Sequence, residues 1–169
     1  MPQALPDPWL PPIWHPVGGL ASVGFAPESE LLLVTSTAGR GVFDCISGKR
    51  VARDDSDDSS AWENPFSLSA RGIGPLDGVS IRMAGLHGGG LPTFSPAGWQ
   101  AETVCLHWPE STLLLVAPGS SLLDYRAGHE ARFWRVESGS GELRAWGFSA
   151  SGRTLLLATS ADITIFRVR

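Results

Sequence analysis

The chain has 169 residues, of which 20 are Gly and 13 are Pro, and charged residues make up only 18% of it. A hydrophobic share of 43% excludes a disordered chain. So much Gly and Pro argues against a helical bundle, because both residue types break helices. The length predicts one domain, 1–169, with a core large enough to fold alone.

The net charge is −4, and the positive residues are scattered along the chain. The sequence therefore shows no cluster of basic residues of the kind that nucleic-acid binding needs. The segment 1–8 has no basic region and no apolar run, and no apolar run approaches the roughly 18 residues of a membrane helix. We therefore expect a cytoplasmic protein that binds neither nucleic acid nor membrane. The strong preference for Arg over Lys favours a prokaryotic source.

Three copies of one sequence pattern divide the chain. They read PESELLLVTS at 27–36, PESTLLLVAP at 109–118 and SGRTLLLATS at 151–160. Their Leu triplets begin at Leu31, Leu113 and Leu155, which sets a period of about 41 residues with one copy skipped. A period of this length is typical of solenoids, propellers and other repeat arrays.

The first copy, 18–54, predicts four antiparallel strands. Apolar stretches alternate there with polar turns, and the turn at Ser47-Gly48 precedes a last strand at Lys49–Arg53. A Leu triplet without polar interruption predicts a strand that is covered on both faces. Four strands in about 41 residues are the pattern of a β-propeller blade.

The region 55–100 is a degenerate copy, in which Val79–Met83 is the best strand candidate. The Gly-rich run Gly85–Gly90 predicts a turn rather than a phosphate-binding loop, because Leu91-Pro92 follows it instead of Lys-Ser/Thr and a helix. Two further copies follow at 101–138 and 139–169.

The sequence is compatible with more than one way of closing the fold. The N-terminal apolar residues Trp9-Leu10 and Ile13-Trp14 are predicted to supply a fourth strand to the last copy, where the neighbouring prolines confine them to a sheet edge. The alternatives are a homodimer that forms an eight-bladed ring, or two chains that cover each other's edges.

The last copy, Glu142–Val168, resembles a WD-repeat blade. Phe148–Gly152 stands where that family has Phe-Ser-Pro-Asp-Gly, and Ser160–Asp162 is similar to the turn that carries its structural Asp. Val42–Asp44 resembles the family's Trp-Asp strand ending, although the chain has no Trp-Asp dipeptide. The resemblance implies an all-β fold of about four propeller-like blades and a non-catalytic protein-interaction module as the function.

The candidate partner-binding residues are an acidic run and two tryptophans in or beside the least blade-like region. Four carboxylates in five positions could hold Ca²⁺, but no Gly turn and no closing Glu match the EF-hand loop, so an acidic loop facing another protein is favoured. The set is Asp54, Asp55, Asp57, Asp58, Trp62 and Trp99.

The four His lie far apart and no Cys-x-x-Cys pair occurs, so the sequence predicts no metal and no cofactor. Cys45 and Cys105 are predicted to be free thiols that behave as small buried hydrophobic residues.

An enzymatic alternative rests on one polar cluster. Asp124, Arg126, His129 and Glu130 fall within seven residues and could serve as acid and base in a small hydrolase or lyase. The competing interpretation is a charged hairpin tip. A third hypothesis is a structural subunit of a homo-oligomer or of a larger ring.

Overall fold

The fold was analysed in a computed structural model that describes residues 4–123, 131–137, 139 and 141–169. These residues form fifteen strands, β1 to β15, and two single-turn 3₁₀ helices at Ser59–Ala61 and Gly74–Leu76. All strand pairings within the four sheets are antiparallel, so the predicted all-β class is confirmed. No helix of the described residues is long and apolar enough to cross a membrane.

Sheet I is the predicted four-stranded meander of the first copy. Its strands are β2 (Leu20–Phe25), β3 (Leu31–Ser36), β4 (Gly39–Asp44) and β5 (Lys49–Asp54), and β9 (Ala84–Gly85) adds to the free edge of β2. The turn before β5 contains Gly48 with φ of +70°, a conformation that glycine adopts without strain.

Sheets II and III are three-stranded. Sheet II consists of β6 (Glu63–Asn64), β7 (Ser69–Arg71) and β8 (Ser80–Arg82). Sheet III consists of β10 (Gln100–His107), β11 (Glu110–Val116) and β12 (Phe133–Val136). The strand predicted at 79–83 is therefore present as β8.

Sheet IV joins the two ends of the described chain. It consists of β13 (Leu143–Phe148), β14 (Thr154–Thr159) and β15 (Asp162–Arg167), with β1 (Ile13–Pro16) as its fourth strand. Ile13 lies opposite Ile165 in the β1–β15 pair. The predicted contribution of an N-terminal strand to the last copy is confirmed.

Three apolar clusters hold the sheets face to face in the order III, IV, I, II. Within β14, Leu155 and Leu157 pack into the cluster shared with sheet III, whereas Leu156 packs into the cluster shared with sheet I. In β3, Leu32 faces sheet IV and Leu33 faces sheet II. The prediction of strands covered on both faces is thus confirmed for β3 and β14.

Backbone hydrogen bonds show which residues are equivalent between the sheets. The bonds from Cys45 N–H to the Glu30 carbonyl and from Val168 N–H to the Arg153 carbonyl fix the ladder phase in sheets I and IV. Every second residue from Glu30 bonds to β4, and every second residue from Arg153 bonds to β15. Leu32 and Leu155 therefore occupy equivalent positions in their sheets. The third sequence copy is therefore shifted by one residue from the alignment that its Leu triplet suggests.

The sheets do not all pack in the same relative orientation, as the blades of a closed ring would. Leu32 faces sheet IV and meets the opposite face of that sheet at Leu156, so sheets I and IV pack by unlike faces. Leu113 is equivalent to Leu155, yet these two leucines share one cluster, so sheets III and IV pack by like faces. Among the described residues the four sheets form an open stack with sheets II and III at its ends, and no ring closes.

The segment 91–93 lies along two sheet edges, the edge of sheet IV at β13 and the edge of sheet III at β10. Phe148 N–H of β13 donates to the Pro92 carbonyl at 2.7 Å, and Ala101 N–H of β10 donates to the Thr93 carbonyl at 2.8 Å. This close approach depends on Gly147, whose φ is +144° and where a Cβ would lie 2.6 Å from both the Leu91 Cβ and the Pro92 oxygen.

The prediction that both cysteines are buried is half wrong. Cys45 is fully buried between sheets I and IV, and burial raises the pKa of its thiol. Cys105 is exposed, because it lies near the end of β10 where the β10–β11 register breaks between Val104 and His107. Both thiols are free.

Candidate functional site

The acidic run begins at the end of β5 and continues into the loop before sheet II. Asp54 forms an ion pair with Arg40 at 2.5 Å, and Asp55 pairs with Arg53. The Asp58 carboxylate accepts a hydrogen bond from Ser60 Oγ at 2.5 Å. Two of the predicted partner-binding carboxylates are thus engaged by arginines of this chain. Asp54 is half-buried, whereas Asp55, Asp57 and Asp58 are exposed.

Arg40 connects sheet I to sheet II. Its guanidinium donates to the Asp54 carboxylate and, at 2.6 Å, to the Arg71 carbonyl, and it lies 4.8 Å from the ring centre of Trp62. Its side chain is only 11% exposed. Because the same arginine contacts Asp54, Trp62 and Arg71, the acidic run and the first predicted tryptophan belong to one surface region.

The Arg40 ion pair lowers the pKa of Asp54. A carboxyl whose pKa falls on folding stabilises the protein above its unfolded pKa of about 3.9, and that stability is lost as the pH falls through the folded value. We expect Asp54→Asn to lower the urea midpoint at pH 6 and the difference from wild type to shrink steadily below about pH 4. A difference that is the same at pH 6 and at pH 3 would contradict this role.

The expectation that Trp62 and Trp99 form an exposed contact surface is wrong. Trp62 is 6% exposed and Trp99 is 8% exposed. Trp62 packs between sheets I and II, and Trp99 packs edge-on against Trp9 between sheets III and IV. Large aromatic rings fill the space between facing sheets. Trp62 and Trp99 are therefore buried, although the sequence around them matches the blade pattern poorly.

Other aromatic side chains are exposed instead. Among the described residues, Phe66 is 99% exposed, Trp108 is 89%, Phe94 is 63% and Trp14 is 55%. Phe66 and Trp108 lie in turns, and Phe94 follows the segment that bridges β13 and β10. Phe66 is not among the predicted contact residues. The local sequence signal for it is the turn-forming pair Asn64-Pro65 directly before it.

Phe66 is presented by a turn with defined hydrogen bonds. The Asn64 side-chain oxygen accepts from the Phe66 N–H at 3.0 Å and from the Ser67 N–H at 3.1 Å. An Asn that bonds to the backbone two residues ahead is a common way of fixing a turn. Leu68 then takes a φ of +50° as the chain enters β7.

An open groove of 740 Å³ lies beside this turn. Its lining includes the aromatic residues Trp62 and Phe66, the charged residues Glu63 and Arg71, and Ser59 and Ser60, which follow the acidic loop in sequence. The groove therefore joins an aromatic contact residue to charged groups of both signs, a combination that is typical of protein-binding surfaces.

The proposed acid–base cluster Asp124, Arg126, His129 and Glu130 lies outside the described residues. In the part of the chain that the structure describes, no three His, Cys, Asp or Glu side chains come close enough together to hold a metal ion. The Gly85–Gly90 run forms a turn in which Gly85 and Gly88 exchange backbone hydrogen bonds.

Comparison with known proteins adds no family assignment. No protein-family model matches the chain, and no curated protein matches it.

Proposed function

We propose that the chain is a non-catalytic protein-interaction module built on WD-repeat-like, propeller-like sheets, and that it binds its partner through the groove beside Phe66. The observation that carries this proposal is the 99% exposure of Phe66 in a turn fixed by Asn64. An isolated exposed apolar residue needs no explanation. Phe66 differs because Asn64 already fixes the backbone that presents it, so less backbone entropy is lost on binding, and because it lies beside a large groove.

The packing of the sheets supports the propeller-like part of this proposal. Sheets IV, I and II follow each other with unlike faces in contact, as consecutive blades do. In sheet II the residue equivalent to Leu32 is Ala70, which faces back toward sheet I. Sheet III departs from this order, so the proposal concerns related blades and leaves ring closure to a partner or a second copy.

The groove predicts the chemistry of the contact. An apolar side chain of the partner would cover Phe66, and burying a phenyl ring contributes about 1.5–3 kcal/mol. Charged groups of the partner would lie near Arg71 and Glu63 of the groove and near Asp57 and Asp58, which adjoin the groove residue Ser59 in sequence. Such rim charges mainly affect association rate and specificity.

The test is affinity capture with the tagged chain from a lysate of its own cells, quantified by mass spectrometry. We expect at least one reproducible protein partner, whose recovery falls tenfold or more with Phe66→Ala. The matched control is Phe94→Ala. It removes an exposed phenyl ring that does not line the groove, and it should leave recovery unchanged. No specific partner under mild salt, or equal loss with both variants, would refute the proposal.

A further inference from the structure

Among the described residues, sheet III has three strands, whereas sheets I and IV each have a fourth, outer strand. In sheet I the outer strand is β5, and in sheet IV it is β1, which comes from the other end of the described chain. Among the described residues, β12 has no strand on its outer side. The β1–β15 pair shows that a sheet of this protein accepts an outer strand that is distant in sequence.

The hydrogen-bond phase of β12 leaves two of its residues open to an incoming strand. Ala117 N–H donates to the Arg132 carbonyl, so Trp134 and Val136 direct their backbone groups toward β11. By alternation, the backbone N–H and C=O groups of Phe133 and Arg135 point outward. Open groups of this kind are a template for strand addition.

A groove of 230 Å³ adjoins this open edge. Leu113 and Val136 of sheet III and Leu143 and Leu157 of sheet IV line it, together with both charged residues Arg135 and Glu137 and the hydroxyl residues Ser111 and Thr112. A residue placed opposite Val136 on an added strand would direct its side chain toward the leucines of this groove. In sheet IV the outer strand β1 likewise packs an aliphatic side chain, Ile13, against a cluster between two sheets.

We propose that β12 binds an extended, acidic and apolar segment of a partner protein, which adds antiparallel to it as the fourth strand of sheet III. An aliphatic residue of the segment would lie opposite Val136 and an acidic residue opposite Arg135. Charge argues against the outer strand of sheet I in a second copy as the donor. The outer strand of sheet I carries Lys49, Arg50 and Arg53, and it would meet Arg132 and Arg135 with charges of the same sign.

The test uses a synthetic peptide, Thr-Ile-Glu-Ile-Thr-Thr with blocked termini, titrated into the ¹⁵N-labelled chain. We expect saturable binding, with amide exchange at Phe133 and Arg135 slowed at least tenfold. Arg135→Pro removes the backbone N–H that points away from β11 and leaves the hydrogen bonds between β11 and β12 intact. It should weaken peptide binding tenfold or more. Arg135→Ala keeps the donor and removes the charge, and should weaken binding only two- to fivefold.

A second probe covers the case in which Arg135→Pro does not fold. The same peptide with methyl groups on the backbone nitrogens that face β12 should fail to bind the wild-type chain. The proposal is overturned if the methylated peptide binds equally well, if protection appears on another strand, or if no binding occurs at millimolar peptide. It is also overturned if sedimentation shows a dimer that Arg135→Pro dissociates. Because this edge is separate from the Phe66 groove, Phe66→Ala should leave peptide binding unchanged.

Discussion

Replacing Gly147 by Ala should destabilise the protein by about 3 kcal/mol or more. The added Cβ would lie 2.6 Å from the Pro92 carbonyl oxygen, which is itself bonded to the Phe148 N–H. The backbone at φ of +144° is also one that L-residues rarely adopt. Neither contact can relax without moving the segment that bridges β13 and β10. Urea unfolding followed by tryptophan fluorescence measures the loss.

The matched control for this change is Gly78→Ala. Gly78 also has a positive φ, of +77°, but a Cβ there would have no atom within 4 Å. Only the conformational cost remains, which is about 1 kcal/mol. If the two variants lose the same stability, the tight packing of Leu91 and Pro92 against β13 contributes nothing, and the bridging role of this segment is wrong.

Leu156→Ala is expected to cost about 2–5 kcal/mol, because Leu156 is fully buried between sheets I and IV and truncation leaves a cavity. Leu156→Met keeps the volume and should cost less than about 1.5 kcal/mol. Denaturant titration of both variants separates lost volume from altered shape. A Leu156→Ala variant with wild-type stability would mean that sheets I and IV do not pack as described.

The strands could be predicted because they depend on local patterns. The meander of sheet I follows from apolar stretches separated by turn residues, and the glycine turn before β5 is as expected. The pairing of β1 with β15 could also be anticipated, since apolar N-terminal residues flanked by prolines suit an outer strand.

The stacking order could not be read from the repeats. A leucine triplet shows that both faces of a strand are covered, but it does not say which neighbour covers each face. The one-residue shift in the third copy exchanges the two faces of β14, as the hydrogen-bond phase shows. The like-face packing of Leu113 against Leu155 depends on contacts between distant segments.

The candidate surface was only partly predictable for a related reason. The acidic run was visible as a charge pattern, yet the engagement of Asp54 depends on Arg40 from a neighbouring strand. Trp62 and Trp99 are large enough to suit either a core or a contact surface, and burial is a property of the assembled sheets. Phe66 gave no periodic signal, since a turn residue has no partner in a strand pattern.

The pairing of β1 with β15 also constrains the order in which the protein can assemble. Ile13 is synthesised early and Ile165 late, so sheet IV cannot be completed on the ribosome until almost the whole of the described chain has been made. Sheets I and II can form earlier from contiguous segments. The final joining of the two ends is therefore a long-range event with a large loop-closure entropy, of the kind that slows folding in β-proteins. Until then β15 exposes an unpaired edge, and the newly made chain is most vulnerable to aggregation in that interval.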